Sequence, residues 1–357
     1  MSVPIRADEL IIEAAERMFA DLCPPDTVTA AEDGTWPQAL WDGIEAAELA
    51  RAWVPESLGG PGTSLMDGFA VARIAAAHAA PLPVAETLLA GWLLGEGGMQ
   101  PPAGPLAVAP VHATDEVRLD VDGRLAGGAR RIGFASQCAH LAVICASSEG
   151  ARVAVVARAA CGIEPARTLA GEPLDGVRFD GVSPIAGADA VGADLREGLR
   201  RMGATLRAQQ MAGALGRILE QSLQYAHDRE QFGRPIGKFQ AVQHNLASLA
   251  GEVAAASAAA DAAAVAIARH GLDDARALLA VASAKIRAGE AAGAGAAIAH
   301  QVHGAIGFTR EYSLQHATRR LWSWRDDFGA ETPWAIELGR HVAGAGADAL
   351  WPSLTAV

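Results

Sequence analysis

The chain has 357 residues, enough for two or three domains; 51% are hydrophobic and only 20% charged, which excludes a disordered segment. Its net charge of −12 is spread along the chain and speaks against nucleic acid or an anionic membrane surface as partner. The four cysteines, Cys23, Cys138, Cys145 and Cys161, are scattered without a C-x-x-C pair, so neither a disulfide framework nor a zinc site is expected.

The N-terminal run MSVPIRADELIIEAAERMF carries acids every few residues and does not read as a signal peptide; a reducing, cytoplasmic location is expected. Leu10, Ile11, Ala14, Met18 and Leu22 recur at helical spacing over residues 7–22. A second helix is expected over WPQALWDGIEAAELARAW, with Pro37 at its start. A loop rich in Gly and Pro, VPESLGGPGTS, leads to helical patterns at 65–79 and 84–94. Between about 101 and 190 the period changes. Short Val- and Leu-rich runs at 106–111, 116–121, 141–145, 152–157 and 177–179 predict a small β barrel or sandwich. From Leu195 the helical period returns, broken near 233–237, 271, 304–307 and 329–333. The fold class is mainly α with a central small β domain, divided as 1–100, 101–194 and 195–357.

Within the last region, helix 242–270 is so rich in Ala that another backbone can approach it closely. It reads as core plus a subunit contact, or as a simple surplus of Ala. The run 254–268 contains Asp261 and is too short to span a membrane. GAGAAI at 293–298 lacks the third glycine of a dinucleotide loop and reads as packing. His300 and His303 share a helix face with no acid or Cys ligand beside them, and no metal is expected. No G-x-S-x-G elbow is present, and Trp322, Trp324 and Trp334 read as core or interface. The densest chemistry is YAHDREQFGRPIGKFQ, 225–240. It reads either as a polar helix–helix turn or as a grip for the pyrophosphate and flat bases of a nucleotide.

Three stretches resemble the acyl-CoA dehydrogenase family. VPESLGGPG looks like its VPeeyGGlG loop, residues 225–240 like its Y..eR.qFG.pi..fQ segment, and QVHGAIGFTREY, 301–312, like its Q..GG.Gyt.ey segment, followed at the family interval by Arg319. The resemblance spans nearly the whole chain and implies an N-terminal helical domain, a middle β barrel or sandwich and a C-terminal four-helix bundle. It implies FAD as cofactor, with a neighbouring subunit gripping the nucleotide through Arg229, Gln231, Phe232 and Gln240 and through Gln301, Gly304 and Ala305. Ala305 stands where the family has Gly.

The other half of the flavin site departs from the family. The TEP..GSD and W.tNa..AD segments correspond here to VAPVHATD, 108–115, and RIGFASQCAH, 131–140, which keep only Thr114 and Ser136 as weaker hydroxyl candidates. The chemistry needs a carboxylate against the substrate α carbon. At the interval where most members carry that Glu this chain has Phe328, and at the alternative helical position it has Gly203. Asp327 and Glu331 flank the first position and are weak candidates for a displaced acid. The resemblance therefore implies the divergent small subunit of a heteromeric acyl-CoA dehydrogenase, a heterotetramer acting on acyl-CoA in lipid or steroid metabolism. Such a subunit completes a homologous partner's FAD site, with electron-transfer flavoprotein as acceptor. The alternatives are a self-sufficient homo-oligomeric acyl-CoA dehydrogenase and an inert acyl-CoA-binding scaffold.

Overall fold

The structure, a computed structural model, describes residues 4–112, 114–187 and 194–355. Its N-terminal helices are α1 (Glu9–Leu22), α2 (Pro25–Glu32), α3 (Gln38–Ala46), α4 (Leu65–Ala77) and α5 (Val84–Glu96). Asp8 caps α1 by accepting the Leu10 N–H at 2.8 Å, and Ser64 caps α4 in a reciprocal box with Asp67. The Asp67 carboxylate also accepts the Asp8 N–H at 2.7 Å, so one side chain fixes the starts of both helices together.

The expected helix from Trp36 to Trp53 is shorter than the sequence suggests. α3 ends at Ala46, Glu48 adopts φ 54°, and a 3-10 turn at Leu49–Arg51 follows. The break carries Leu49, Ala50 and Trp53 into the core, where the Trp53 indole N–H donates to the Leu65 carbonyl at 3.1 Å. Burial here overrides helical propensity.

The middle of the chain forms one curled sheet of β1 (Leu106–Ala109), β2 (Glu116–Leu119), β3 (Leu125–Gly133), β4 (His140–Ser147), β5 (Gly150–Ala157), β6 (Gly162–Glu164), β7 (Leu174–Val182) and β8 (Ala186–Gly187). The order is β6-β7-β3-β2-β4-β5-β8, with β1 parallel to β4. Leu125, Ile132, Leu141, Val143 and Phe179 fill its concave core. β3 is absent from the sequence expectation because LAGGARRIG has little β propensity. Pairing with β2 and β7 holds it extended, and Gly127, at φ 122°, passes so near the Glu116 carbonyl that a β-carbon would lie 2.3 Å from it.

The C-terminal domain contains α6 (Leu195–Asp228), α7 (Gln240–His270), α8 (Ala275–His303), α9 (Leu314–Trp324), α10 (Glu331–Ala345) and α11 (Ala347–Thr355). α6, α7 and α8 pack on one another, and α6 also packs on α4, where Gly213 lies against the Arg73 carbonyl. Gly295 of the GAGAAI run meets Leu215 and Leu249, a packing seam. The sequence argument against a span considered only 254–268. In the fold α7 has 31 residues and is, among the described residues, the helix long and apolar enough to cross a membrane. It is nevertheless built into the bundle through Leu249, Ala256, Ala260 and Ala263, while Ala247, Ala254, Ala258 and Ala262 face outward.

Candidate functional site

The turn after α9 carries the residue at the family's usual acid position. Phe328 (φ 55°) and Gly329 (φ 98°) both take left-handed conformations, costly for the phenylalanine. The turn is held from beneath. Trp334 donates its indole N–H to the Phe328 carbonyl at 3.0 Å, and the fully buried Lys285 ammonium donates to the carbonyls of Arg325 and Gly329 at 2.6 and 2.7 Å. Burial lowers the Lys285 pKa to about 8 against the opposing pull of Asp327 and Glu331.

Phe328 is 6% exposed, and its ring lies on Gly203 of α6. A β-carbon added at Gly203 would lie 2.3 Å from the ring. The two positions from which sequence analysis sought a base thus face each other across one space, and an aromatic ring fills it. An open cleft of about 260 Å3, walled by Pro110, Val111, Leu199 and Arg200 and rimmed by the carboxylates of Asp194 and Glu197, ends on this ring; Glu197 is held by Arg200 and Arg201.

Neither flanking acid is placed as a base. Asp327 is buried and bound by two guanidinium groups, Arg131 Nη2 at 3.0 Å and Arg207 Nε at 3.1 Å. Glu331 accepts from Arg325 Nε at 2.7 Å. Burial of Glu331 opposes its ionisation, but its hydrogen bonds, Arg325 first, outweigh that and hold the carboxyl below the usual range. A base for α-proton removal needs the opposite shift.

Arg207 extends the network. Its Nη2 meets Glu86 Oε1 of α5 at 2.7 Å and its Nη1 donates to Gln210 Oε1 at 2.5 Å. Burial works against the Arg207 charge, yet Glu86 and Asp327 outweigh it and keep the guanidinium protonated. The chain Glu86–Arg207–Asp327–Arg131 therefore links the N-terminal helices, α6, the 325–329 turn and β3 beside the filled pocket. Sequence reasoning missed Glu86, Arg207 and Lys285. The only signal was a charge inside an otherwise small or apolar helical run, as Lys285 in LAVASAKI.

The flavin-ring candidates are engaged locally. Thr114 Oγ1 lies 3.0 Å from His112 Nδ1 and accepts from Arg130 Nη2 at 2.6 Å. Ser136 sits in a 3-10 turn and donates its backbone N–H to Asp175 at 2.7 Å. Arg131, first residue of the stretch that matches W.tNa..AD, is held by Asp327. The Thr114 hydroxyl and the Arg131 guanidinium are thus engaged within the chain and poorly placed for an isoalloxazine ring on this chain's own sheet.

The nucleotide-gripping candidates behave differently. Glu230–Gln231 and Arg234–Pro235 pair as a minimal hairpin whose two-residue tip is Phe232 (φ 52°) and Gly233 (φ 75°). Such a tip favours Asn-Gly, and Phe232 stands there 91% exposed. Within the chain the ring meets Phe239 edge-on at 6.1 Å and otherwise faces solvent from a strained backbone position. The structure joins this hairpin to the 301–312 segment. Tyr225 stacks on His303 at 4.5 Å and meets Tyr312 edge-on at 6.1 Å, above a small cluster of Ala226, Leu246 and Val302. Arg229, Gln231, Phe232, Gln240, Gln301, Gly304 and Ala305 are all exposed. Among the described residues the Arg229 guanidinium has no hydrogen-bond or ion-pair partner. Gly304, at φ 64°, faces open space. Free forked donors, an apolar ring and an open turn fit a dinucleotide approaching from outside the chain. Arg319 is not part of this face; it pairs with Glu32.

Comparison with known proteins bears on the family and the fold. Residues 198–324 match the family described as acyl-CoA dehydrogenase, C-terminal domain. Acyl-CoA dehydrogenase IpdE2 of Mycobacterium tuberculosis is 30% identical over 317 residues, 87% of this chain and 89% of that protein. IpdE2 of Mycolicibacterium smegmatis is 28% identical over 318 residues, 86% of this chain and 89% of that protein. Among solved structures, the ChsE4-ChsE5 complex from Mycobacterium tuberculosis shares the fold with a TM-score of 0.86 at 24% identity, covering 96% of this chain and all (100%) of that one. A variant of the Tcur3481-Tcur3483 steroid ACAD has a TM-score of 0.83 at 24% identity over 94% of this chain and 97% of that one. The chain belongs to the acyl-CoA dehydrogenase family, oxidoreductases that act on a CH–CH bond of acyl-CoA thioesters.

Proposed function

We propose that this chain is the subunit of a heteromeric acyl-CoA dehydrogenase that completes the FAD site of a homologous partner and leaves the catalytic acid to that partner. The observation that carries the reading is the Phe328 ring on Gly203: neither of the two facing positions at which the family acid is sought holds one. The pairing of Asp327 and Glu331 with arginines weighs against the self-sufficient alternative. Structures of similar fold include two named for pairs of chains, one of them a steroid ACAD. They support a bulky, steroid-derived acyl-CoA as the substrate of the assembled enzyme.

When bound, FAD supplies the acceptor for the hydride that leaves the acyl β carbon. This chain's contribution is binding. Arg229 would present its fork to the pyrophosphate, Phe232 would cover an apolar face, and Gln231, Gln240 and Gln301 would offer amides. The small residues Gly304 and Ala305 would let the backbone come close. The outward alanines of α7 would meet another subunit.

The test is Arg229→Ala in this chain, co-purified with a homologous subunit that carries the glutamate. The expected result is a complex with reduced flavin content and a rate about ten-fold lower or more, from loss of a charge-assisted contact. Arg229 is exposed, so the melting temperature of the isolated chain should not move. A complex with full flavin and full rate would overturn the assignment.

A further inference from the structure

The turn that closes α8 carries a stack of flat rings. His300, one helical turn before Gly304, lies against Phe308 with ring centroids 4.0 Å apart and planes inclined by 16°. It also lies nearly parallel to Trp322 of α9, at 5.8 Å and 17°. The His300 Nε2 is 2.9 Å from the Thr318 hydroxyl of α9, which fixes the rotation of the ring. Burial lowers the His300 pKa, so the imidazole is neutral at neutral pH and brings no charge to the stack.

Phe308 is the outer member. It is 67% exposed although His300 covers one face, so its other face is open to solvent. It ends the 3-10 turn Gly304–Phe308, whose first two residues are the nucleotide candidates Gly304 and Ala305. The turn is held in place. The Thr309 hydroxyl donates to the Ile306 carbonyl at 2.9 Å, and Gly307 packs so closely that a β-carbon would lie 3.0 Å from Leu314. Phe232, by contrast, stands at a hairpin tip and meets its neighbour Phe239 edge-on.

A ring backed by a second ring and free on its other face is a surface for a further flat ring, through offset stacking. The chemistry of FAD says which one. Its isoalloxazine must meet the substrate beside the partner's acid, so the end that reaches this chain is the adenosine end. Gln301, exposed directly after His300, carries a carboxamide, the group suited to the N6 and N7 edge of adenine. Resting on the function proposed above, we propose that Phe308 is the surface on which the adenine of the partner's FAD stacks, with the His300 ring behind it.

The probe is ADP, titrated into the full-length chain and followed by saturation-transfer NMR at the adenine protons, with inorganic pyrophosphate as competitor. Saturable binding is expected. Phe308→Leu, which stays apolar but loses the flat face, should weaken ADP about ten-fold, and Phe308→Trp should keep it. Pyrophosphate, which has no base, should bind Phe308→Leu as it binds the unaltered chain, whereas Arg229→Ala should weaken both ligands. UDP, with a smaller ring on the same pyrophosphate, should bind the unaltered chain several-fold more weakly than ADP, a comparison that does not depend on any variant folding. Equal binding of ADP and UDP overturns the stack. ADP binding kept in Phe308→Leu but weakened in Arg229→Ala overturns it and leaves the FAD grip standing. Absence of saturable ADP binding also overturns it, while the flavin content of the co-purified complex decides separately on the grip.

Discussion

The ring of Phe328 lies across the α-carbon of Gly203, so the two chain positions at which a catalytic acid could stand face each other and neither holds one. Around that contact, Glu86, Arg207, Asp327 and Arg131 form a chain of alternating charge, buried except at Arg131.

Restoring the missing acid should not restore catalysis. The Arg207 Cζ lies 5.9 Å from the Phe328 ring centroid, so the carboxylate of Phe328→Glu would sit beside a guanidinium. Such a neighbour lowers a carboxyl pKa when a base requires it raised. The isolated variant should show no acyl-CoA-dependent reduction of an electron-accepting dye above background; turnover well above that level would contradict the reading of this pocket.

The ion chain should be costly to break at one member. Arg207→Met leaves Glu86 and part of Asp327 buried without a partner, and should destabilise the chain by about 3–5 kcal/mol in urea unfolding. Adding Glu86→Leu to Arg207→Met should recover part of that loss, because Asp327 keeps Arg131. A double variant less stable than the single one would show that the pair is not the source of the effect.

Lys285 gives a pH dependence with a defined sign. Its pKa falls from 10.5 to about 8 on folding, so between those values the unfolded chain binds more protons. The cost of burying the ammonium is complete below the lower value and is relieved as pH rises toward the upper one. Stability relative to Lys285→Met should therefore increase between about pH 8 and pH 10, by up to ~3 kcal/mol for a shift of this size. Parallel stability curves for the two proteins over that window would show that Lys285 does not titrate there.

Much of this architecture is legible in the sequence, because helical period, the Val-rich short runs and the Gly and Pro breaks each report a local preference. The proposed nucleotide-gripping face could be put forward from sequence for a related reason. Arg229, Phe232 and Gln301 lie in short contiguous motifs that need only one hairpin and one helix end to bring them together. β3 is not legible, since its glycines carry no strand signal until β2 and β7 flank it. The ion chain is not legible either. Its partners are 120, 121 and 196 residues apart, and no period connects them.

The central claim is that this chain holds FAD only across an interface, and the flavin-to-protein ratio tests it most directly. It should be measured by absorbance on the chain purified alone and again after co-expression with a homologous subunit that carries the glutamate. The account predicts a chain colourless or weakly loaded by itself and a stoichiometric flavin band with acyl-CoA oxidation in the pair. Stoichiometric FAD and acyl-CoA oxidation by the isolated chain would contradict it.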